Sequence, residues 1–315
     1  MPAVTAFSRH VFTEMGKVIV GQESLKRGCL IALLCEGHAL IEGVPGVAKT
    51  LAVRTLSRLL GLNYQRVQCT ADLMPADIVG TTVVNVTTGE FQFHPGPVFT
   101  EMLLVDEVNR MPPRTQAALL ECMEERQVTS DGVRRELSPF FSVFATQNPI
   151  EFEGTYPLPE AQLDRFLLRI RVPYPDRSEE VQVLALAQGG FDARNLDAVG
   201  LVAADTGALA EARREVQHIN VEPSLLSYIV GVVRSTREWP AVSLGASPRA
   251  AVNVMRVSKA IAAIDGRDYV IPDDVKEAAP LTLGHRLTLK PEADLEGVTS
   301  EQVLVDVLRS IDVPR

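Results

Sequence analysis

Short apolar runs separated by turn residues mark the first half of the chain. Ala39-Leu40-Ile41-Glu42, Met102-Leu103-Leu104-Val105, Phe141-Ser142-Val143-Phe144-Ala145 and Phe166 to Val172 have the length and continuity of strands buried on both faces. Residues 3–18 read as a helix with a mixed face, and Glu23 to Leu34 as a helix apolar enough to be buried. The first apolar run leads through a glycine loop into a helix from Lys49 to Leu60. Strand, loop, helix is a βα unit, and its repetition predicts a parallel sheet with helices on its faces. Two segments break the alternation as hairpins. Thr81–Val86 and Glu90–His94 are joined by Thr87-Thr88-Gly89, and Gln127–Ser130 and Val133–Leu137 by the tight turn Asp131-Gly132.

After Pro173-Tyr174-Pro175-Asp176 the strand pattern ceases. Helical periodicity follows over Ser178–Gln188, Gly207–His218, Pro223–Arg237, Pro248–Ile264 and Pro272–Leu283, several opening with Pro or with Asp, Ser or Glu in the first turn. The expected division is an α/β domain over 1–176 and an all-α domain over 177–315. A length of 315 residues suits two domains.

Composition narrows the class. Hydrophobic residues at 46% and charged residues at 23% are those of a soluble globular protein. The longest unbroken apolar run, Cys29 to Cys35, falls far short of the roughly 20 residues of a membrane span. Met1-Pro2-Ala3-Val4 has no basic region before an apolar stretch, so no secretory leader and a cytoplasmic location are expected. The net charge is −9 and neither half is basic, which lowers the expectation of a nucleic-acid partner. Cys29, Cys35, Cys69 and Cys122 form no Cys-x-x-Cys pair and have no His at finger spacing, so they read as small core residues rather than a zinc site or disulfides.

The chemistry lies at the ends of the strands. Gly43-Val44-Pro45-Gly46-Val47-Ala48-Lys49-Thr50 follows a strand and opens a helix, as a phosphate-binding loop does. Such a loop aims backbone N–H groups at a polyanion. Lys49 would reach the β/γ-phosphates and Thr50 would hold Mg²⁺. Ala48 departs from the pattern, which has glycine there. Asp106 and Glu107 end the second buried strand, where side chains face the same crevice as a phosphate loop. Asp106 would orient Mg²⁺ through its water shell, and Glu107 would polarise the attacking water. Asn148 ends the next strand. It either hydrogen-bonds a phosphate or the water, or is an ordinary turn residue before Pro149.

Gly43–Thr50, Leu103–Glu107, Ala145–Asn148 and Leu163-Asp164-Arg165-Phe166 occur in the order found in AAA+ ATPases. Glu107-Val108-Asn109-Arg110-Met111-Pro112-Pro113 and the run from Gly154 to Phe166 resemble the MoxR branch, in which alanine is common at the position of Ala48. The likeness spans residues 5 to 290, and 145–166 is its most specific stretch. It implies an αβα three-layer P-loop domain followed by a helical lid, with ATP and Mg²⁺ as cofactors. It implies that Asn148 is the first sensor, Arg165 an arginine finger reaching a neighbour's ATP, and Arg249, in Gly245-Ala246-Ser247-Pro248-Arg249, the second sensor. Val20-Gly21-Gln22 matches the segment lining the adenine pocket, or simply starts a helix. Arg110 either faces a subunit interface or does not.

The likeness also implies a homo-hexameric ring, a protein client and a companion with a von Willebrand factor A domain. The two hairpins match loops that meet the client in related rings. Phe91 and Phe93, on one face, either grip it or pack beneath the hairpin, and Thr129, Val133 and Arg134 are weaker candidates. The function this implies is Mg²⁺-dependent ATP hydrolysis driving remodelling or maturation of a protein client. The alternatives are a nucleic-acid motor of the helicase kind and a magnesium-chelatase-like motor subunit. The first hairpin has no Lys or Arg between Gly80 and Thr100, which disfavours the helicase reading.

Overall fold

The computed structural model describes residues 3–87, 89–149, 154–205 and 207–314. Met1 and Pro2 of the leader reading, Thr88 of the first hairpin turn and 150–153 of the run 145–166 lie outside the described residues. The body begins with α1 (Ala3–Gly16), α2 (Glu23–Leu34), β1 (Ala39–Gly43), α3 (Lys49–Leu59), β2 (Tyr64–Gln68) and α4 (Pro75–Val79). The hairpin β3 (Gly80–Val84) and β4 (Phe91–Pro95) leads to β5 (Met102–Asp106) and α5 (Pro113–Glu125). A second hairpin, β6 (Gln127–Ser130) and β7 (Val133–Glu136), precedes β8 (Ser142–Gln147), α6 (Glu160–Leu163) and β9 (Leu168–Val172). Then come α7 (Arg177–Gln188), α8 (Ala208–His218), α9 (Pro223–Glu238), β10 (Val242–Leu244) and α10 (Pro248–Ile264). The remainder is α11 (Pro272–Leu283), β11 (Thr288–Leu289), α12 (Pro291–Leu295) and α13 (Ser300–Ser310).

Five strands form one parallel sheet in the order β2-β5-β8-β1-β9. Alternate residues point to opposite faces. Ile41, Leu104 and Phe144 join a core under α1, α2 and α3, while Leu40, Leu103, Val105, Val143 and Ala145 join a second core under α5. Helices on both faces make three layers, as expected. β5 is buried along its whole length and β8 along all but its last residue, which is why both read as unbroken apolar runs.

The structure adds a strand that the apolar pattern did not show. β2, Tyr-Gln-Arg-Val-Gln, is an edge strand with only Val67 buried. The lid is not wholly helical either, since β10 pairs antiparallel with β11. The core on the α1–α3 face continues through Leu209, Ile229, Val254 and Val275 of the lid helices, so body and lid share buried surface. Among the described residues no helix is long and apolar enough to cross a membrane. The four cysteines are buried, as expected of core residues.

Candidate active site

Parallel topology brings the ends of β1, β8 and β5 side by side, although they are far apart in sequence. The loop after β1 is tight. A Cβ on Gly43 would stand 2.7 Å from the carbonyl oxygen of Val172, so that position admits only glycine. Gly46 has φ +87° and Ala48 φ +64°, both left-handed. Ala48 therefore adopts the conformation for which glycine is favoured. It caps α3 without a side-chain hydrogen bond, and a helix start is where backbone N–H groups meet an anion. The Lys49 ammonium donates to the Gly43 carbonyl.

Asp106 and Glu107 are held by a network around the end of β5. Asp106 Oδ1 accepts from Thr146 Oγ1 at 3.0 Å, and Oδ2 from Arg66 Nε at 2.7 Å and Thr50 Oγ1 at 3.4 Å. The Glu107 N–H donates to Thr146 Oγ1 at 3.0 Å. Its carboxylate accepts from Gln68 Nε2 at 3.1 Å and pairs with Arg110 Nε at 3.2 Å. Arg110 thus contacts the acid of its own subunit. Glu107 sits at φ +59°, a costly backbone for a non-glycine residue and one that concentrates at functional sites. Asn148 is buried just beyond β8.

Arg66, Gln68, Asp106, Glu107, Thr146 and Asn148 line one cavity of about 530 Å³ together with the loop from Pro45 to Thr50. Its other end is apolar, built from Val18, Ile19, Val20, Val183, Leu186 and Phe191. A polar end with phosphate-type donors and an apolar end suit a nucleotide. Val20 and Gln22 line the apolar end, while Gly21 and Gln22, both left-handed, lead into α2. The segment thus borders the cavity and also starts a helix. A Cβ on Gly21 would fall 1.9 Å from Glu179 Oε1, so glycine lets the start of α7 close over the segment.

Thr50 and Asp106 fit a small hard cation. A hydroxyl and a carboxylate oxygen face each other across 3.4 Å, and no cluster of three or more His, Cys, Asp or Glu exists among the described residues. That donor set suits Mg²⁺ held largely by phosphate oxygens and water. Arg66 places its guanidinium on the same Oδ2.

The structure does not bring Arg165 or Arg249 to this cavity. Arg165 Nε donates to Glu124 Oε2 at 2.7 Å, and Arg249 Nη1 donates to Glu124 Oε1 at 3.1 Å. Arg249, in the first turn of α10, thus meets Arg165 at the end of α5. In the hairpins, Phe93 packs edge-on against Phe99 at 5.6 Å with Arg135 over its ring at 3.8 Å, whereas Phe91 is 78% exposed. Thr129, Val133 and Arg134 are exposed.

A five-stranded parallel sheet in this order, a phosphate loop after its fourth-placed strand and a following helical lid define a three-layer P-loop ATPase of the AAA+ class. Residues 38–168 match the model of the ATPase family associated with various cellular activities, and 234–307 that of the AAA lid domain. The chain is 45% identical to the uncharacterized protein YeaC of Bacillus subtilis, covering 95% of this chain and 92% of that one. It is 41% identical to Chaperone MoxR1 of Mycobacterium tuberculosis, covering 99% and 83%. A crystal structure from Cytophaga hutchinsonii superposes with a TM-score of 0.90 at 40% identity, covering 99% of this chain and 97% of that one. The chain belongs to the MoxR family of AAA+ ATPases. It is an ATPase and binds nucleotide.

Sequence reasoning missed Arg66, Gln68 and Thr146 as partners of the acids, and Glu124 as the partner of both remote arginines. Arg66 and Gln68 lie on the strand that the apolar pattern did not show. Their separation by two residues, which puts both on one face of a strand, is the one signal that pointed to them.

Proposed function

We propose that this chain hydrolyses Mg²⁺-ATP in the cavity at the ends of β1, β5 and β8 and uses the cycle to remodel a protein client, as a chaperone. The observation that carries the reading is the convergence of Lys49, Thr50, Asp106, Glu107 and Asn148 on one cavity with an apolar end. The loop from Gly43 to Thr50 cradles the phosphates with backbone N–H groups, and Lys49 transfers its hydrogen bond from the Gly43 carbonyl to a phosphate oxygen. Thr50 and Asp106 hold Mg²⁺, which neutralises phosphate charge when bound. Glu107 accepts a hydrogen bond from the attacking water and takes its proton. Thr146 fixes both acids, and Asn148 orients the water or the γ-phosphate. Val20, Gly21 and the apolar wall receive the base.

Arg165 and Arg249 serve a neighbour in this reading. Both lie away from their own cavity and side by side, which supports active sites shared between subunits of a homo-hexameric ring. One domain over 1–176 then holds the nucleotide and 177–315 forms the lid. The name Chaperone MoxR1 of a relative supports the client role. So does the first hairpin, with Val84, Val86 and Phe91 exposed at its free end. A companion with a von Willebrand factor A domain rests on the family resemblance alone. The absence of Lys and Arg from Gly80 to Thr100 favours a protein client over nucleic acid.

Two variants test the site. Glu107→Gln should bind ATP normally and lose about 10²-fold or more in kcat, in the range for removing a catalytic base. Lys49→Ala should lose binding itself. A fluorescent-nucleotide titration beside a phosphate-release assay separates the two, and unchanged turnover in Glu107→Gln rejects the assignment.

A further inference from the structure

We infer that Glu124 is a positioning residue that holds Arg165 and Arg249 as a pair and presents them to the nucleotide phosphates of a second copy of this chain. The inference rests on the shared-site reading above. Each carboxylate oxygen takes one guanidinium, Oε2 from Arg165 and Oε1 from Arg249. One arginine precedes the edge strand β9 of the body, and the other opens α10 of the lid. Glu124 is the point where these two segments meet.

The way each bond is made matters. Arg165 is held through Nε, at the side of its fork, so both terminal nitrogens project past the carboxylate. Arg249 is held through one terminal nitrogen and keeps the other. Among the described residues no other group accepts a hydrogen bond from either guanidinium. Both are partly exposed, so their remaining donors are available to an anion arriving from outside. A planar fork with free terminal N–H groups is the geometry that meets phosphate oxygens. Two guanidiniums this close repel, and the carboxylate between them offsets that repulsion. Hydrogen bonds from Arg165 and then Arg249 hold the Glu124 carboxyl below the usual range, so it stays anionic.

The base of the pair is stiff. Glu124 lies in the last turn of α5 beside buried Cys122 and Met123. The residue that caps this helix, Arg126, ties it to the Glu36 carbonyl at 2.6 Å. Next to Arg165, Asp164 is held by buried Arg286 at 2.6 Å. An isolated exposed ion pair contributes little to stability, so stability alone does not account for the arrangement.

The test uses mixed assemblies. Glu124→Ala should leave ATP binding and thermal stability near wild type and lower kcat by about 10–100-fold, the scale of misplacing a group that acts on the transition state. Glu124→Gln, which keeps the shape and one oxygen acceptor but loses the charge, should fall between. Each is then mixed with Lys49→Ala, which has a dead cavity but an intact arginine pair, with subunit exchange checked by labelling. Rescue of Glu124→Ala by Lys49→Ala, and none by Arg165→Ala, is the expected result, because only the first partner supplies a correctly held pair. If Lys49→Ala rescues Arg165→Ala but not Glu124→Ala or Glu124→Gln, Glu124 acts inside its own subunit and the inference is wrong while shared sites stand. If Lys49→Ala rescues none of them despite exchange, the shared-site reading fails and takes the inference with it. Wild-type kcat in both Glu124 variants also overturns it.

Discussion

Ala48 shows how much a single residue type reveals and how much it hides. Its left-handed backbone costs an alanine about 1–2 kcal/mol. Glycine removes that cost and returns roughly 0.5–1 kcal/mol of it through the freer unfolded chain. Ala48→Gly should therefore raise Tm by about a degree or two, read by calorimetry, on the scale expected for a chain of this size. A lowered Tm would mean that the left-handed conformation is not the one present in solution. Arg66 carries the second prediction at this scale. The Asp106 side chain is only 8% exposed and half-exposed Arg66 is its cationic partner. Arg66→Ala should destabilise the nucleotide-free protein by about 1–2 kcal/mol, a figure reduced for the solvent around Arg66. Saturating Mg²⁺-ATP should restore most of the loss, because Thr50 and Asp106 then share a cation that Arg66 did not supply. A loss of equal size with and without nucleotide would contradict this. Lys49, Thr50, Asp106 and Glu107 were legible in the sequence because each sits in a short pattern next to a strand end. Arg66 was not, because its partner lies on another strand.

At the scale of elements, His38 explains why β1, β8 and α5 keep their relative positions. The Val143 N–H donates to His38 Nδ1 at 2.9 Å, and His38 Nε2 donates to the Met123 carbonyl at 3.1 Å. Both ring nitrogens are committed in the neutral form, and burial pushes the pKa down to about 4. In the unfolded chain it returns to about 6.5. Between these values the unfolded state binds a proton that the folded state refuses. Stability from this group is therefore fully present above pH 6.5 and is lost as pH falls toward 4, by roughly 3 kcal/mol in all. Buried His285 is shifted in the same direction and adds to the slope. Denaturant titrations at pH 7.5, 6 and 5 should show the fall, with a shallower slope in His38→Gln; an identical slope would remove His38 from the account. The same scale shows why β2 escaped the sequence reading. An edge strand has one hydrogen-bonded neighbour and little to bury, so its pattern is diluted, while central β5 and β8 announce themselves.

At the scale of the molecule, body and lid are joined by buried polar ties as well as by the shared core. Arg213 of α8 is buried and donates to the Leu33 carbonyl at the end of α2 at 2.8 Å, with its guanidinium 4.9 Å from the Phe140 ring. Arg256 of α10 donates to the Cys35 carbonyl just beyond. These cations donate to carbonyls at a helix C-terminus, where the helix dipole favours positive charge. Body and lid should accordingly unfold together. Fluorescence of Trp239, the one tryptophan, reports on the lid, and loss of bound nucleotide reports on the body. The two denaturation curves should coincide. Arg213→Met, which keeps the apolar stem and removes the donors, should shift both curves by roughly 2 kcal/mol. Two separated transitions in the wild type would show that the ties do not couple the halves.

What the sequence by itself determined is local. The phosphate loop, the acid pair after Val105 and the helical texture after Asp176 are all set by neighbours within a few positions, and such patterns survive without knowledge of the fold. The tertiary structure decided where side chains from distant segments end. It set β8 between β1 and β5, so that three strand ends share one cavity. It placed Arg66 and Gln68 on the acids, and it carried Arg249 away from its own cavity to meet Arg165 on Glu124. The reason is physical: a side chain's partner depends on which surfaces the whole core brings together, and the packing of the lid against α1 and α2 involves distant residues, as in the bond between Arg213 and Leu33, 180 positions apart.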